Sequence, residues 1–390
     1  MINVTLFGSN SGNNLGDAAI LGSILLNFKA YPFYFFVPTP KPDFVNLYKK
    51  INNVSAVDIH PLRSLSVRFL GATTLNALRK SQYVFICDGI LFGKRLFDPS
   101  FNFLSNIFCL LPVLKALKLK LVIFAAGLGP FNSYLSTKMV KSVLNASELI
   151  MLRDDESISL VQNLKPDLKT IRVGDPAFIN PVSPESVCQA ILEKHEIENP
   201  ENLIGVNLTN YLGSWVSCRF SKKDFVIKVS EHLRIAKEKS KLELLFISTH
   251  PMDNSINESV AELLGSKFLP AGNYLSHDIM ALMKKLKLFV GMRFHSLVLA
   301  SAVGIPVIGI KYAPKVESLL KLFNTPELCV HLDKIDCLAE TIQMTMKNID
   351  GIRQIQQIQV QKEKLLAQKA FDTFVEFTNS SPLAPKVENI

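Results

Sequence analysis

Apolar runs of strand length alternate with amphipathic segments of helix length along most of this chain. The runs INVTLF (2–7), FYFFV (33–37), YVFICD (83–88), KLVIFAAG (120–127), LIMLRD (149–154) and TIRVGD (170–175) form a first series. Segments such as AAILGSILLNF (18–28) and STKMVKSVLNAS (136–147) lie between them. Strands apolar at consecutive positions are buried on both faces, so the pattern predicts a parallel sheet covered by helices. The stretches NPVSPESVCQ (180–189) and KHEIENPENL (194–203) interrupt the series with proline and polar residues. The rhythm then restarts at LIGVNLT (203–209), LELLFIST (242–249), KLFVGM (287–292) and PVIGIK (306–311).

This pattern predicts an α/β protein of two Rossmann-like domains facing a central cleft. The expected boundaries are an N-terminal domain at 1–182, a linker at 183–202 and a C-terminal domain at 203–334. Residues 335–390 read as a helical segment packing back on the N-terminal domain, with Gly351 as a joint, because glycine inside a helix costs about 1 kcal/mol relative to alanine. At 390 residues the chain is also too long for one ordinary core. Ligands of open α/β sheets bind beyond the carboxyl ends of the strands, which directs attention to the loops there.

Composition narrows the classes. Hydrophobic residues at 48% and charged residues at 20% describe a packed globular protein. The net charge of +9 reads as lysines scattered over solvated faces, or as attraction for anionic substrates or an anionic membrane surface. No Arg-rich arm or RNP-like pattern points to nucleic acid. Six cysteines (Cys87, Cys109, Cys188, Cys218, Cys329 and Cys337) lack CxxC or zinc-ligand spacing and read as buried free thiols of a reducing cytoplasm. The N-terminal residues lack the pattern of a signal peptide. The stretch SFNFLSNIFCLLPVLKALKLKLVIFAAGLG (100–129) reads as a buried helix and strand, because polar residues and Lys115 interrupt it before the roughly 20 apolar residues a span needs. A cytoplasmic protein is expected, with a peripheral contact at the inner face of the membrane left open. No cofactor and no metal site are expected, since HExxH, EF-hand, GxSxG and GxxxxGK[ST] patterns do not occur in the sequence.

The richest loop is GMRFHSLVLASAVGIPVIGIKYAPKV (291–316). Arg293 and His295, two apart at the start of a helix, join the helix N-terminus in an arrangement suited to carboxylate or phosphate oxygens. His295 is also of the residue type that can act as general acid or base near neutral pH. A helix-capping histidine beside a surface arginine explains the spacing equally well. Arg153 in LIMLRDDES reads either as an anion ligand or as a partner of neighbouring carboxylates. Gly127 and Gly129 of FAAGLGPF allow close backbone approach, and Asp175 in GDPAF fits an Asp-Pro turn. His250 and Asp253 of LFISTHPMDNS follow another strand.

Together NNLGDAAI, AAGLGPF, RDDES, GDPAF, THPMD and, above all, MRFHSLVLASAVGIPVIGIKYAPKV resemble the polysaccharide pyruvyl transferase family, in order and spacing over about residues 3 to 320. The resemblance implies two Rossmann-like domains and transfer of a pyruvyl group from phosphoenolpyruvate, as co-substrate, to a saccharide or lipid-linked saccharide of a surface glycan. It further implies Arg153 and Arg293 as donor-binding arginines and His295 as the catalytic histidine. Ser296 is a further donor-side candidate, and Lys311 reads either as added charge there or as a solvent-facing lysine after a strand. One departure lies at CDGILFGK (87–94), where the family commonly has a glycine-rich run near an acidic residue; Asp88 there belongs to the expected acceptor side. A nucleotide-sugar glycosyltransferase or epimerase, with Glu317 as the ribose ligand, and a non-catalytic member of a glycan-assembly complex are the competing readings.

The loop GSNSGNNLGDAAI (8–20) lacks GxGxxG spacing and a lysine, so it does not read as a phosphate loop. Asn10, Asn14 and Asp17 suit a hydroxyl-rich partner, with Asp17 as a catalytic candidate and helix capping as its alternative.

Overall fold

The computed structural model describes residues 1–50, 53–59, 70–98, 101–212 and 221–380. They form two compact units: Met1–Gly12, Ile20–Ile179 and Glu363 onward make the first, and Asn13–Ala19 with Asn180–Lys362 the second.

The first unit is built on β1 (Ile2–Phe7), α1 (Leu15–Asn27), β2 (Phe33–Thr39), α2 (Pro42–Asn46), β3 (Val54–Asp58), α3 (Ala72–Lys80), β4 (Tyr83–Ile86), α4 (Phe103–Ala116), β5 (Lys120–Ala126), α5 (Tyr134–Ala146), β6 (Ser147–Leu152), α6 (Asp155–Leu164) and β7 (Ile171–Arg172). The first turn of α1, through Ala19, counts with the second unit. The strands form one parallel sheet in the order β3-β2-β1-β4-β5-β6-β7. Alternation along each strand sends side chains to two layers. Val84, Ile86, Leu121 and Ile123 pack with residues of α4 and α5. Phe85 and Phe124 point the other way and stack with centroids 4.8 Å apart.

The second unit continues with α7 (Glu185–Lys194), β8 (Leu203–Asn207), α8 (Lys222–Ser240), β9 (Glu243–Ile247), α9 (Asn254–Leu263), β10 (Lys267–Leu269), α10 (Ser276–Met283), β11 (Leu288–Gly291), α11 (Phe294–Ala302), β12 (Val307–Lys311), α12 (Pro314–Leu322), β13 (Cys329–His331), α13 (Leu338–Lys347) and the first part of α14 (Ile349–Asn379). Its sheet is also parallel, in the order β10-β9-β8-β11-β12-β13. In both sheets the strand order reverses once, between β1 and β4 and between β8 and β11. Those are the switch points at which open α/β sheets expose their strand ends to ligands.

The helix α14 ends in the first unit, where Phe371 and Phe374 join the aromatic layer. Phe374 meets Phe85 edge-on at 4.6 Å and Phe371 lies 4.8 Å from Phe28. Gly174 allows this helix to come close, because a Cβ there would overlap the backbone at Glu363 and Ala367. Arg172 donates to the buried Glu363 at 3.0 Å. Burial pushes the Glu363 carboxyl above its usual range, and Arg172 opposes that shift in part.

Several sequence expectations shift. The helical joint falls at Asn348, with non-helical φ −129°, and Gly351 lies inside the first turn of α14. Strands β3, β10 and β13 escape the apolar-run criterion because they are short and carry half-buried positions. Cys87 and Cys188 are buried thiols, whereas Cys109 and Cys337 are exposed and Cys329 half-buried; Cys218 lies outside the described residues. Among the described residues no helix is long and apolar enough to cross a membrane.

Candidate functional site

In the second unit the site grows from the ends of β8, β9 and β11. Asn207 closes β8 fully buried and ties the three strands together. Its Nδ2 donates to the Ile247 carbonyl at 2.8 Å, its own carbonyl accepts from Met292, and its Oδ1 accepts from the Arg293 amide at 3.2 Å. A polar residue ending an otherwise apolar strand was the only sequence signal for this role.

Arg293 is the N-cap residue of α11. Its Nε donates to Asp253 Oδ2 at 2.7 Å, and its guanidinium lies 4.9 Å above the ring of Tyr211. Asp253 is wholly buried, and its other oxygen accepts from Thr209 Oγ1 and the Asn210 amide, each at 3.0 Å. Burial alone would lower the Arg293 pKa, but the hydrogen bond and charge of Asp253 outweigh it and hold the guanidinium above its usual range. Nη2 of Arg293 is buried without a hydrogen-bond partner among the described residues. A buried cationic donor left unmatched is costly in a folded protein, which makes it a place for an anionic ligand.

His295 follows in the first turn of α11, and the N-terminal loop comes to it. Leu15 donates its amide to the Thr249 carbonyl at 2.9 Å, pinning the start of α1 beside the β9 strand end. Gly16 then lies against the imidazole so closely that a Cβ there would overlap Cβ, Cγ and Nδ1 of His295. Asn14 organises this turn. Its Oδ1 accepts from the Gly16 amide at 3.1 Å and its Nδ2 donates to Asp17 Oδ1 at 3.0 Å. Asp17 sits in the first turn of α1 directly after Gly16, while the side chain that accepts from a first-turn amide is that of Asn14.

Other predicted residues in this unit have local duties. Ser296 is fully buried and its hydroxyl donates to the Arg293 carbonyl at 2.7 Å. Lys311 pairs with Glu317, which also takes Lys321 at 3.1 Å. These two lysines hold the Glu317 carboxyl down to about 2. Nδ1 of His250 accepts from the Met252 amide at 3.1 Å and caps a short 3-10 turn.

In the first unit Arg153 sits among three carboxylates. It pairs with Asp175 at 2.9 Å, Asp154 at 3.7 Å and Asp88 at 4.0 Å. Asp175 also caps the turn after it by accepting from the Ala177 amide at 2.9 Å. Asp88 takes a left-handed conformation, φ +65°, within the divergent CDGILFGK segment, and its carbonyl accepts from the Gly127 amide at 3.1 Å. Gly127 leaves room for the guanidinium, since a Cβ there would stand 2.9 Å from Nε of Arg153. Gly129 has φ +83°, a conformation open to glycine. Asn10 is buried, with Nδ2 donating to the Leu6 carbonyl at 3.1 Å, so its carboxamide anchors the loop.

The geometry seats Gly16, within the turn that Asn14 and Asp17 form, against His295, and brings Asp253 and Tyr211 to Arg293. Nothing in the sequence pointed to Tyr211 or to the duty of Gly16. Among the described residues no group of three or more His, Cys, Asp or Glu side chains could hold a metal ion.

Solved structures similar to this chain share its fold at low identity. A UDP-GlcNAc 2-epimerase from Neisseria meningitidis bound to UDP-GlcNAc matches with TM-score 0.64 and 12% identity, covering 96% of this chain and 100% of its own. An S. aureus MnaA–UDP structure matches at TM-score 0.63 and 10% identity over 100% of both chains. A glycosyltransferase from Rickettsia africae matches at TM-score 0.60 and 15% identity, over 97% and 99%. The architecture is the two-domain α/β fold of GT-B type. A search of curated proteins found no match. The family description polysaccharide pyruvyl transferase matches residues 14–314, which span the His295 turn and both arginines, and this chain belongs to that family.

Proposed function

We propose that the protein transfers a pyruvyl group from phosphoenolpyruvate to a sugar of a surface polysaccharide or its lipid-linked precursor, forming a ketal. The observation that carries this reading is the seating of Gly16 against His295, which joins the Asn14–Asp17 turn to the arginine-bearing N-terminus of α11. Phosphoenolpyruvate presents a carboxylate and a phosphate. Arg293, with Nη2 unmatched and the helix N-terminus beside it, supplies charge and donors for one of them.

In the reaction His295 delivers a proton to the methylene carbon, which becomes the methyl group. The adjoining carbon gains oxocarbenium character and is attacked by a sugar hydroxyl, whose proton passes to Asp17. A second hydroxyl then displaces the phosphate, which departs with that hydroxyl's proton, and the ketal closes. Arg153 is already more than balanced by Asp88, Asp154 and Asp175, so we assign the donor's charge chiefly to Arg293. Asp88, with Gly127 and Gly129 beside it, is assigned to the acceptor side.

The fold likeness to UDP-GlcNAc 2-epimerases supports nucleotide-sugar chemistry as the second reading. Against it, the carboxylate proposed for the ribose, Glu317, is taken up by two lysines. The test incubates the protein with phosphoenolpyruvate and a panel of lipid-linked and nitrophenyl sugars and follows phosphate release. Release by the wild type and loss of roughly 10²-fold in His295→Ala is the expected result for a removed general acid. Equal rates for the two proteins, with calorimetric binding of a nucleotide sugar and none of phosphoenolpyruvate, would favour the second reading.

A further inference from the structure

Away from both strand-end sites, the outer layer of the first unit carries a groove of about 780 Å³ between α4 and α5. Its floor is apolar, formed by Phe108, Leu111, Leu114, Leu119 and Leu121. Cys109 and Pro112 line it as exposed positions. Helical spacing sets the other wall: Ser142 and Ala146 of α5 line the groove, and Lys138 and Tyr134 continue the same stripe at four-residue steps. Tyr134 is 83% exposed and Leu135 beside it 39% exposed.

The charge around this groove is one-sided. Lys115 and Lys118 line it, both exposed, and Lys138 stands on the α5 stripe. The single acid in the lining, Glu148, is paired with Lys120 at 3.8 Å. Three exposed lysines therefore surround an apolar floor edged by an exposed tyrosine, and the one carboxylate there is already matched by Lys120. An ordinary solvated helix face does not combine these features: its apolar side is covered and its charges mix.

We propose that this α4–α5 face docks the protein on an anionic lipid surface. The lysines meet headgroup phosphates, while Tyr134, Leu135 and the open apolar groove sit at the headgroup and acyl boundary, where amphipathic and aromatic side chains are stable. This surface stands apart from the residues assigned to pyruvyl transfer, and its test does not depend on that assignment.

The experiment uses the full chain and flotation with vesicles of phosphatidylcholine alone or mixed with phosphatidylglycerol, at low and at high salt. Binding to the anionic vesicles that weakens with salt is expected. Each lysine at an anionic surface contributes about a fivefold factor, so the charge-reversed triple variant Lys115→Glu, Lys118→Glu, Lys138→Glu should bind at least on the order of 100-fold more weakly. A charge-matched control, Lys222→Glu, Lys223→Glu, Lys239→Glu on the exposed side of α8, should retain most of the binding. Failure of the wild type to bind anionic vesicles overturns the proposal, as does an equal loss in the control, which would make the attraction a matter of net charge. A wild-type dimer that the α4–α5 variant dissolves would assign the face to a second copy of the chain and overturn it too.

Discussion

Asp253 holds Arg293 by a 2.7 Å hydrogen bond to Nε while its own carboxylate is shut off from solvent. The pairing engages Nε and leaves Nη2 for another partner. Asp253 is therefore the element that orients the cation. Removing one member of a buried ion pair costs about 3–5 kcal/mol, because the other charge stays behind. Asp253→Ala also strands Thr209 and the Asn210 amide. A large drop in the unfolding temperature is expected by calorimetry, and a change within experimental error would refute this account.

Arg293→Lys separates charge from geometry. Lysine keeps one positive charge but has no planar fork to satisfy Asp253 and a ligand together, and no flat face for Tyr211. A hydrogen bond to a charged group contributes about 1.5–3 kcal/mol, so the KM for phosphoenolpyruvate should rise about 10- to 100-fold. Steady-state phosphate release as a function of donor concentration measures this.

Both sheets were legible in the sequence because buried parallel strands need continuous apolar runs, and ten such runs stand at observed strands. Edge strands such as β13, three residues long, need no such run and left no trace. Arg293 and His295 were visible because they share one short turn. Two of their partners were not, since Gly16 and Tyr211 reach them only through the folded chain. The same limit applies at Arg153, where the spacing allowed either a ligand role or an ion pair and only the fold brings Asp88 and Asp175 to it.

Gly174→Ala tests the attachment of α14. The added methyl would meet backbone atoms of Glu363 and Ala367, which cannot rotate away as a side chain can. Overpacking of this kind costs about 1–3 kcal/mol. Thermal unfolding should start earlier, and protease cleavage within α14 should become faster than in the wild type.

The pair of lysines on Glu317 predicts an acid dependence with a definite sign. The folded carboxyl titrates at about 2 against an ordinary 4.5, so the unfolded chain takes up its proton first as pH falls. The stabilisation is fully present above the unfolded value and fades as pH descends towards about 2. Wild type should exceed Glu317→Gln in stability at neutral pH, and the gap should close on acidification. A gap independent of pH between neutrality and strong acid, followed by denaturant unfolding, would rule out this ion pair as its source.

Gly16→Ala is the most direct probe of the site, because it alters neither a charge nor a donor. A methyl group at this position overlaps the imidazole at its root as well as at Nδ1, so the ring cannot escape by a small rotation and must move as a whole. Alanine is otherwise favoured over glycine in a helix by up to about 1 kcal/mol, which limits the loss of stability that the overlap brings. Misplacing a catalytic group by about 1 Å costs on the order of 10²-fold in turnover. Gly16→Ala should therefore approach His295→Ala in its loss of phosphate release while unfolding near the wild-type temperature. The double variant should be little worse than either single one, since both act on the same imidazole. Multiplicative losses in the double variant would show that Gly16 serves the reaction by some route other than His295.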